Sequence, residues 1–538
     1  MLALEPACGL CVADDDARRN GMHAKLDYDV VILGGSLAGS AAALLLRAGD
    51  PTLRVLVVEK AEQFGRRVGE ATVEVSAYFL SKVLHLTQHL NERHLSKQGM
   101  RFWFHNAATT GLENCSEIGG RYLARLPAWQ VDRSTLDEEV LRRATAAGAE
   151  VLRPAKVLRV RLMDGGPQTV VVEEEMGEGR LTREITARWV VDASGFAALL
   201  SRQEGWYRRN EAHPTTAIWC RWEGVQDLDG AELCSRHPDW ASVCHGIRST
   251  ATNHFMGDGW WAWCIPLKGG DYSIGVVFDQ RLVEFPAGPS IADRLKQFLS
   301  AHPVARELME KAVATPGDSH WRANLPYSST RYAGDGYVLV GDAAAFLDPL
   351  YSPGMDWLSY TVTAAVDLIL GQRMGNDVEV AAADFSARFT RAYERWFQAV
   401  YQDKYDYFGD FELMLIAFRL DLGMYYLGIV SQPIKFGPVS LLEPPFNRPR
   451  AMIPFRLMRC YNRRLSAMAR ERRRRGTLGR ENAGRRFLLN GYLPERETAW
   501  PLLGAYLRWL SLELREGWRS WFSQNPKRAL ATAAPAVS

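Results

Sequence analysis

Apolar positions fall into two regimes along this chain: short unbroken runs closed by glycine turns in the first two thirds, and helical spacing in the remainder. Tyr28 to Leu33 is a short run rich in β-branched residues, the pattern of a parallel strand buried on both faces. It breaks at Gly34-Gly35-Ser36-Leu37-Ala38-Gly39 and passes directly into alanines and leucines at helical spacing. A second apolar run, Arg54 to Val58, delivers Glu59 twenty residues after Gly39. Strand, glycine turn, helix, strand and acid in this order form the βαβ dinucleotide fingerprint. Gly34 permits the tight turn, Gly39 lets helix and strand pack closely, and the helix N-terminus offers N–H groups to a pyrophosphate. Glu59 is placed to accept hydrogen bonds from a ribose. Ser36 stands where a second glycine normally brings the backbone up to the pyrophosphate, a small-residue variant.

Further along, Val73 to His94 has the spacing of an amphipathic helix, and Lys97 to Phe104 turns towards a strand. Gln130 to Asp137 opens another helix, with Asp132 or Ser134 as cap, ending near Gly148. Glu150 to Arg161 returns as a strand, and Trp189-Val190-Val191 ends in Asp192-Ala193-Ser194-Gly195. Ala217 to Asp279 reads as short strands with turn residues. Gly336 to Val340 is a last strand closed by Gly341-Asp342, a long helix starts after Ser352-Pro353-Gly354, and the chain is mostly helical from about Ala381. The fold predicted is α/β: a Rossmann-like FAD-binding lobe of the glutathione-reductase type, an antiparallel β-sheet substrate lobe and a helical C-terminal region. Residues 1–24 form a tail, 25–375 the FAD-binding module with the substrate lobe inserted at about 72–130 and 200–330, and 376–538 the helical region. FAD rather than NAD follows from Asp342, an acceptor-only carboxylate at a strand end opposite the first turn, suited to a ribityl chain.

Composition narrows the function classes. The 538 residues exceed one core, and a net charge of +3 gives no general case for nucleic acid. Seventeen tryptophans favour a site for an aromatic ligand. Eight scattered cysteines, with only Cys8 and Cys11 at ligand spacing, argue against zinc and for a reducing cytoplasm. No signal peptide is visible, and no apolar stretch approaches a membrane span. The arginine-rich stretch 448–486 reads first as a solvated or ion-paired helix face, and second as a surface for an acidic carrier, membrane or nucleic acid.

Trp261, Trp263, Ile265 and Pro266 form the pattern W-x-W-x-I-P. Phe346, Pro349, Ser352 and Gly354 form F-x-x-P-x-x-S-x-G, Gly69-Glu70-Ala71-Thr72 is a third motif, and Lys97-Gln98-Gly99-Met100-Arg101-Phe102 a fourth. On these motifs residues 27–370 resemble the flavin-dependent halogenases. The resemblance implies FAD used as FADH2, O2 and chloride or bromide as co-reactants, and hypohalous acid made at the flavin. Trp261 and Trp263 would wall flavin from substrate, Lys97 would receive the oxidant, and halide would sit by the helix after Ser352. Candidate catalytic residues are therefore Lys97, Trp261, Trp263 and Ser352. Candidate cofactor contacts are Gly34, Ser36, Ala38, Gly39, Glu59, Arg133, Gly341, Asp342 and Gly354. No metal is expected. Tyr351 takes the place of the glutamate of tryptophan-specific members, which points to a phenol or pyrrole, free or tethered to an acyl carrier protein. Pro353 lacks an N–H, so halide relies on Gly354 or later amides. Without a second nucleotide fingerprint, reduced flavin comes from a separate NAD(P)H-dependent flavin reductase. Trp500, Trp509, Trp518 and Trp521 either cover the substrate entrance, dock a carrier-bound substrate or pack in a helical core. The rival readings are an FAD monooxygenase that never uses halide and a flavin-binding protein without turnover.

Overall fold

The computed structural model describes residues 26–176 and 179–521. The 1–24 tail, Cys8, Cys11 and the alanine-rich C-terminus lie outside the described residues.

The fingerprint builds the centre of the first sheet. Strand Tyr28–Leu33 pairs in parallel with Val55–Val58 on one side and with Gly179–Asp192 on the other, and the latter pairs in parallel with Tyr337–Leu339. Leu33 lies opposite Asp192, and Asp192 opposite Leu339. The three strand ends singled out in the sequence therefore converge on one edge. The run Val30–Leu33 is buried, as continuous apolar strands between helical layers require. Helix Leu37–Gly49 packs its alanines against the sheet and against helix Arg133–Ala146. Gly34 has φ +100°, and a Cβ at Gly39 would stand 1.9 Å from the Gly34 carbonyl oxygen. Both glycines are dictated by geometry, one by its backbone conformation and one by contact.

The second sheet comprises Val313–Ala323, Thr215–Glu223, Tyr272–Asp279, Trp260–Pro266, Thr252–Gly257, Met100–Phe104, Ser116–Gly120 and Arg486–Leu489 in that order. Most pairings are antiparallel, but Thr252–Gly257 with Met100–Phe104 and Ser116–Gly120 with Arg486–Leu489 are parallel. The C-terminal region thus contributes a strand to this sheet as well as helices. The stretch Val73–His94 is split: helical structure runs from Glu74 to Val83, His85 takes φ 55°, and a second helix spans Thr87–Arg93.

Two sequence expectations resolve here. Helical run Phe411–Phe436 is long and apolar enough to cross a membrane, contrary to the expectation that no stretch is, yet Leu413–Ala417 and Leu420 are buried in the core. In the arginine-rich stretch, Arg470, Arg472, Arg473, Arg474, Arg480 and Arg485 all make ion pairs. Arg472 is buried among Asp410, Glu412 and Glu516. The ion-paired reading holds for that part of the stretch.

Because the Gly34 carbonyl sits where a Cβ at residue 39 would lie, Gly39→Ala forces the motif helix off the strand. We expect a loss of about 2 kcal/mol or more in unfolding free energy, read by denaturant titration, with weakened FAD retention.

Candidate active site

Two cavities lie back to back beneath the strand ends. The first is lined by Ser36, Ala38, Gly69, Glu70, Arg133, Asp342, Trp261, Trp263, Ser352 and Gly354, among others. Ser36 stands at the N-cap position of the motif helix without capping it by its side chain, and its hydroxyl donates instead to Asp137 Oδ2 at 2.9 Å. The same carboxylate holds Arg133, whose Nε donates to Oδ1 at 2.9 Å, so Asp137 fixes a cation beside the helix N-terminus. Asp137 is fully buried and escaped the sequence reading, although it stands one helical turn after Arg133. Gly341 adopts φ +54° and turns Asp342 into the cavity, where burial pushes its carboxyl up to about 6 against the pull of Arg133 and Arg322. Glu59 ends its strand as predicted, its two oxygens accepting the Gly35 and Ala61 N–H groups at 2.8 and 2.9 Å. It is not among the residues lining the cavity.

The tryptophan motif reaches this cavity by strand alternation. Trp261, Trp263 and Ile265 face it, while Ala262 and Cys264 face a separate apolar core behind the sheet. Trp261 Nε1 donates to Tyr405 at 3.0 Å and Trp263 Nε1 to Ser273 at 3.2 Å, locking both rings. His254, missed in the sequence, lines the cavity next to Trp261, stacks on Phe102 at 4.7 Å and is bonded to the Arg101 carbonyl at 3.0 Å. Burial pulls its pKa down to about 3, so it is a neutral imidazole. Glu70 is paired with Arg221, and its burial lifts it to about 7.

This set fits a flavin dinucleotide. Arg133 and the helix N-terminus suit a pyrophosphate, Asp342 suits ribityl hydroxyls, and Trp261, Trp263 and Ile265 offer apolar faces to a planar ring.

The second cavity holds Lys97. Its backbone N–H bonds the Ala128 carbonyl at 2.9 Å, and its ammonium donates to the Thr72 carbonyl at 2.8 Å. The side chain is buried, 3% exposed, rather than out in solvent. Desolvation brings it down to about 8, opposed by the nearby carboxylates Glu74 and Asp356. Asp356 accepts the Ser76 N–H at 2.9 Å and the Tyr425 hydroxyl at 3.2 Å, and burial raises it to about 7. Tyr351, Trp396, Tyr401, Phe418, Tyr425 and Phe446 supply aromatic walls. Most of these come from the C-terminal region, whose sequence reads only as helix. Among the described residues Lys97 is the one cation on the wall, beside Glu74, Asp356 and Asp421.

Among the described residues Pro353 alone lines both cavities, and its neighbours part across the wall: Tyr351 and Asp356 face Lys97, Ser352, Gly354 and Met355 the first cavity. Ala71 and Thr72 part in the same way. The expectation gave this partition to Trp261 and Trp263; both line the first cavity only, and the shared wall is built from the 71–72 and 351–356 segments. Tyr351 and Ser352 have φ 65° and 57°, and Trp357 N–H to Pro353 at 2.9 Å opens the helix that follows. Of the candidates, Gly34, Gly39 and Gly341 shape turns and Glu59 ends its strand. Ser36, Ala38, Arg133, Asp342, Trp261, Trp263, Ser352 and Gly354 share the first cavity, and Lys97 stands in the second.

A family model described as tryptophan halogenase matches residues 29–124 and 121–405. Flavin-dependent halogenase chlA of Dictyostelium discoideum is 28% identical over 64% of this chain, and this chain spans 60% of it. The 1H-pyrrole-2-carbonyl-[peptidyl-carrier protein] chlorinase of Pseudomonas fluorescens is 26% identical over 70% of this chain and 83% of its own. This chain therefore spans roughly three fifths of the first curated relative it matches. In fold it is similar to halogenase PltM in complex with phloroglucinol and FAD, with TM-score 0.69 at 20% identity over 90% of this chain and 96% of that one. The family match runs through the βαβ turn, the tryptophan motif and both cavity-forming segments, and the chain belongs to the tryptophan halogenase family.

Proposed function

We propose that this protein is an FADH2-dependent halogenase in which oxidant formation and substrate halogenation occupy separate cavities. The observation that carries this reading is the pair of cavities meeting at Pro353, a dinucleotide-fitting one on one side and a buried lysine on the other. Reduced flavin with O2 supplies, when bound in the first cavity, the two-electron oxidation of chloride or bromide to hypohalous acid. The protein holds the halide at the start of the helix Gly354–Arg373, where unpaired N–H groups and the dipole favour an anion. Pro353 contributes no donor, so Gly354 and the amides after it carry that task.

In the second cavity Lys97 donates a hydrogen bond to the oxygen of HOX and gives it a proton as the O–X bond breaks. Water leaves, halogen joins the ring carbon, and the ring proton passes to Asp356. Proton return from Asp356 to Lys97 restores both groups, so that ArH and HOX give ArX and H2O. The lowered lysine and the raised carboxyl are matched for this exchange near neutral pH.

The wall chemistry supports a phenol or pyrrole. Aromatic faces and acceptor carboxylates suit a neutral ring with an O–H or N–H, whereas among the described lining residues the carboxylate of a free amino acid meets three acids, Glu74, Asp356 and Asp421, against one cation, Lys97. A relative whose name specifies a carrier-bound pyrrole supports either a free or a carrier-tethered substrate. A separate NAD(P)H-dependent reductase supplies the reduced flavin. The free thiols of Cys115, Cys220, Cys234, Cys244, Cys264 and Cys460 suit work in a reducing cytoplasm.

Incubation with reduced flavin, either halide and a panel of phenols and pyrroles should yield halogenated product by mass spectrometry. Substrate-stimulated NAD(P)H oxidation giving hydroxylated product without halide would overturn the proposal. Lys97→Met should lower product formation on the order of a thousandfold while flavin reoxidation continues. In wild type, kcat/KM should rise as Asp356 ionises through about 7 and fall as Lys97 loses its proton through about 8. Asp356→Asn should remove the acid limb, and an unchanged profile would remove Asp356 from the reaction.

A further inference from the structure

Helix Ala499–Arg515 and the turn Gly517–Trp521 close the described chain, and their two faces differ sharply. Ala505, Trp509 and Leu512 are buried, Trp509 edge-on to Tyr461. The opposite face exposes Trp500, Leu503, Leu507, Leu510, Leu514, Trp518 and Trp521, with Trp500 at 76%, Leu514 at 83% and Trp521 at 64% exposure. The spacing of three and four residues places Trp500, Leu503, Leu507, Leu510 and Leu514 in one stripe, which at 1.5 Å per residue is about 21 Å long, while Trp518 and Trp521 stand on the turn beyond the helix end.

The charges along the helix and the turn after it are mostly arginines, with the exposed acids Glu495 and Glu497 just before the helix. Arg508 and Arg515 are exposed on the same helix and Arg519 on the turn that follows it. Arg508 and Arg519 make no ion pair among the described residues. The only carboxylates between Trp500 and Trp521, Glu513 and Glu516, are already paired with Arg464 and Arg472.

We propose that this face docks on an anionic lipid surface, the indole and leucine side chains entering the headgroup boundary and the arginines meeting lipid phosphates. Leucine and tryptophan on one face with unpaired arginines beside them are the composition of an interfacial helix. The same helix packs Leu502 against Gly423, in the helix that supplies Phe418, Asp421, Leu422 and Met424 to the Lys97 cavity. The helix that lines the Lys97 cavity therefore lies directly behind the docking helix. The proposal stands on exposed surface and does not depend on the halogenase reading.

The test is flotation of the full chain with phosphatidylcholine vesicles, with and without phosphatidylglycerol. Binding should favour the anionic vesicles by about tenfold or more, weaken with added salt and blue-shift tryptophan emission. Leu507→Glu with Leu514→Glu should abolish it, and Arg508→Gln with Arg519→Gln should reduce it, with circular dichroism and melting unchanged. Equal partition of wild type and the leucine variant overturns the proposal. So does a wild-type dimer that the leucine variant converts to monomer, or binding to an acidic carrier protein but to neither vesicle.

Discussion

The two consecutive left-handed residues Tyr351 and Ser352 are the constraint on which the rest of the site depends. Each non-glycine residue held there costs on the order of 1–3 kcal/mol, so the surroundings must fix them. Asp348 accepts the Leu350 N–H at 3.0 Å and the Tyr405 hydroxyl at 2.9 Å, with His213 Nε2 at 3.2 Å. The Tyr351 hydroxyl reaches Asp421 at 3.3 Å, and Asp421 is itself held by Lys404 and by Tyr461 at 2.6 Å. Tyr405, Asp421, Lys404 and Tyr461 all belong to the C-terminal region. That region therefore holds in place the turn that separates the two cavities, in addition to lining one of them.

Burial organises the electrostatics on either side of this wall. Desolvation pushes Asp342, Asp356 and Glu70 upward and Lys97 and His254 downward, in every case the leading cause. Keeping ionisable groups in so apolar a setting is a poor way to gain stability, whereas clustering of shifted groups in a cleft is the signature of a reactive site. The ionic core elsewhere is of the opposite kind: Arg472, with Asp410, Glu412 and Glu516 around it, is fully paired and ties the last helices to the fold.

Legibility in the sequence followed the range of the interaction. The βαβ turn and Asp342 are set by neighbours along one strand or turn, so spacing revealed them, whereas Trp261 and Trp263 stood out through the family motif that contains them. Lys97 was legible only through the motif around it; its burial depends on a carbonyl twenty-five residues earlier in the chain. Asp356 reads as an ordinary first-turn helix acid, and Asp137 as one member of an i, i+4 surface pair, because nothing local discloses that either is buried. The aromatic walls contributed by Trp396, Tyr401, Phe418 and Tyr425 were invisible for the same reason: helical periodicity states which residues face inward, and leaves open what they face. The four C-terminal tryptophans divide accordingly, Trp509 into the core and Trp500, Trp518 and Trp521 onto the surface.

Separation of the place where oxidant is made from the place where it is used is tested most directly by a crystal structure of the protein with FAD and a bound phenol. The expected result is an isoalloxazine ring against Trp261 and Trp263, a phenol ring beside Lys97 and Asp356, and Pro353 between them. A flavin ring in direct contact with the phenol, or a phenol bound away from Lys97, would contradict it.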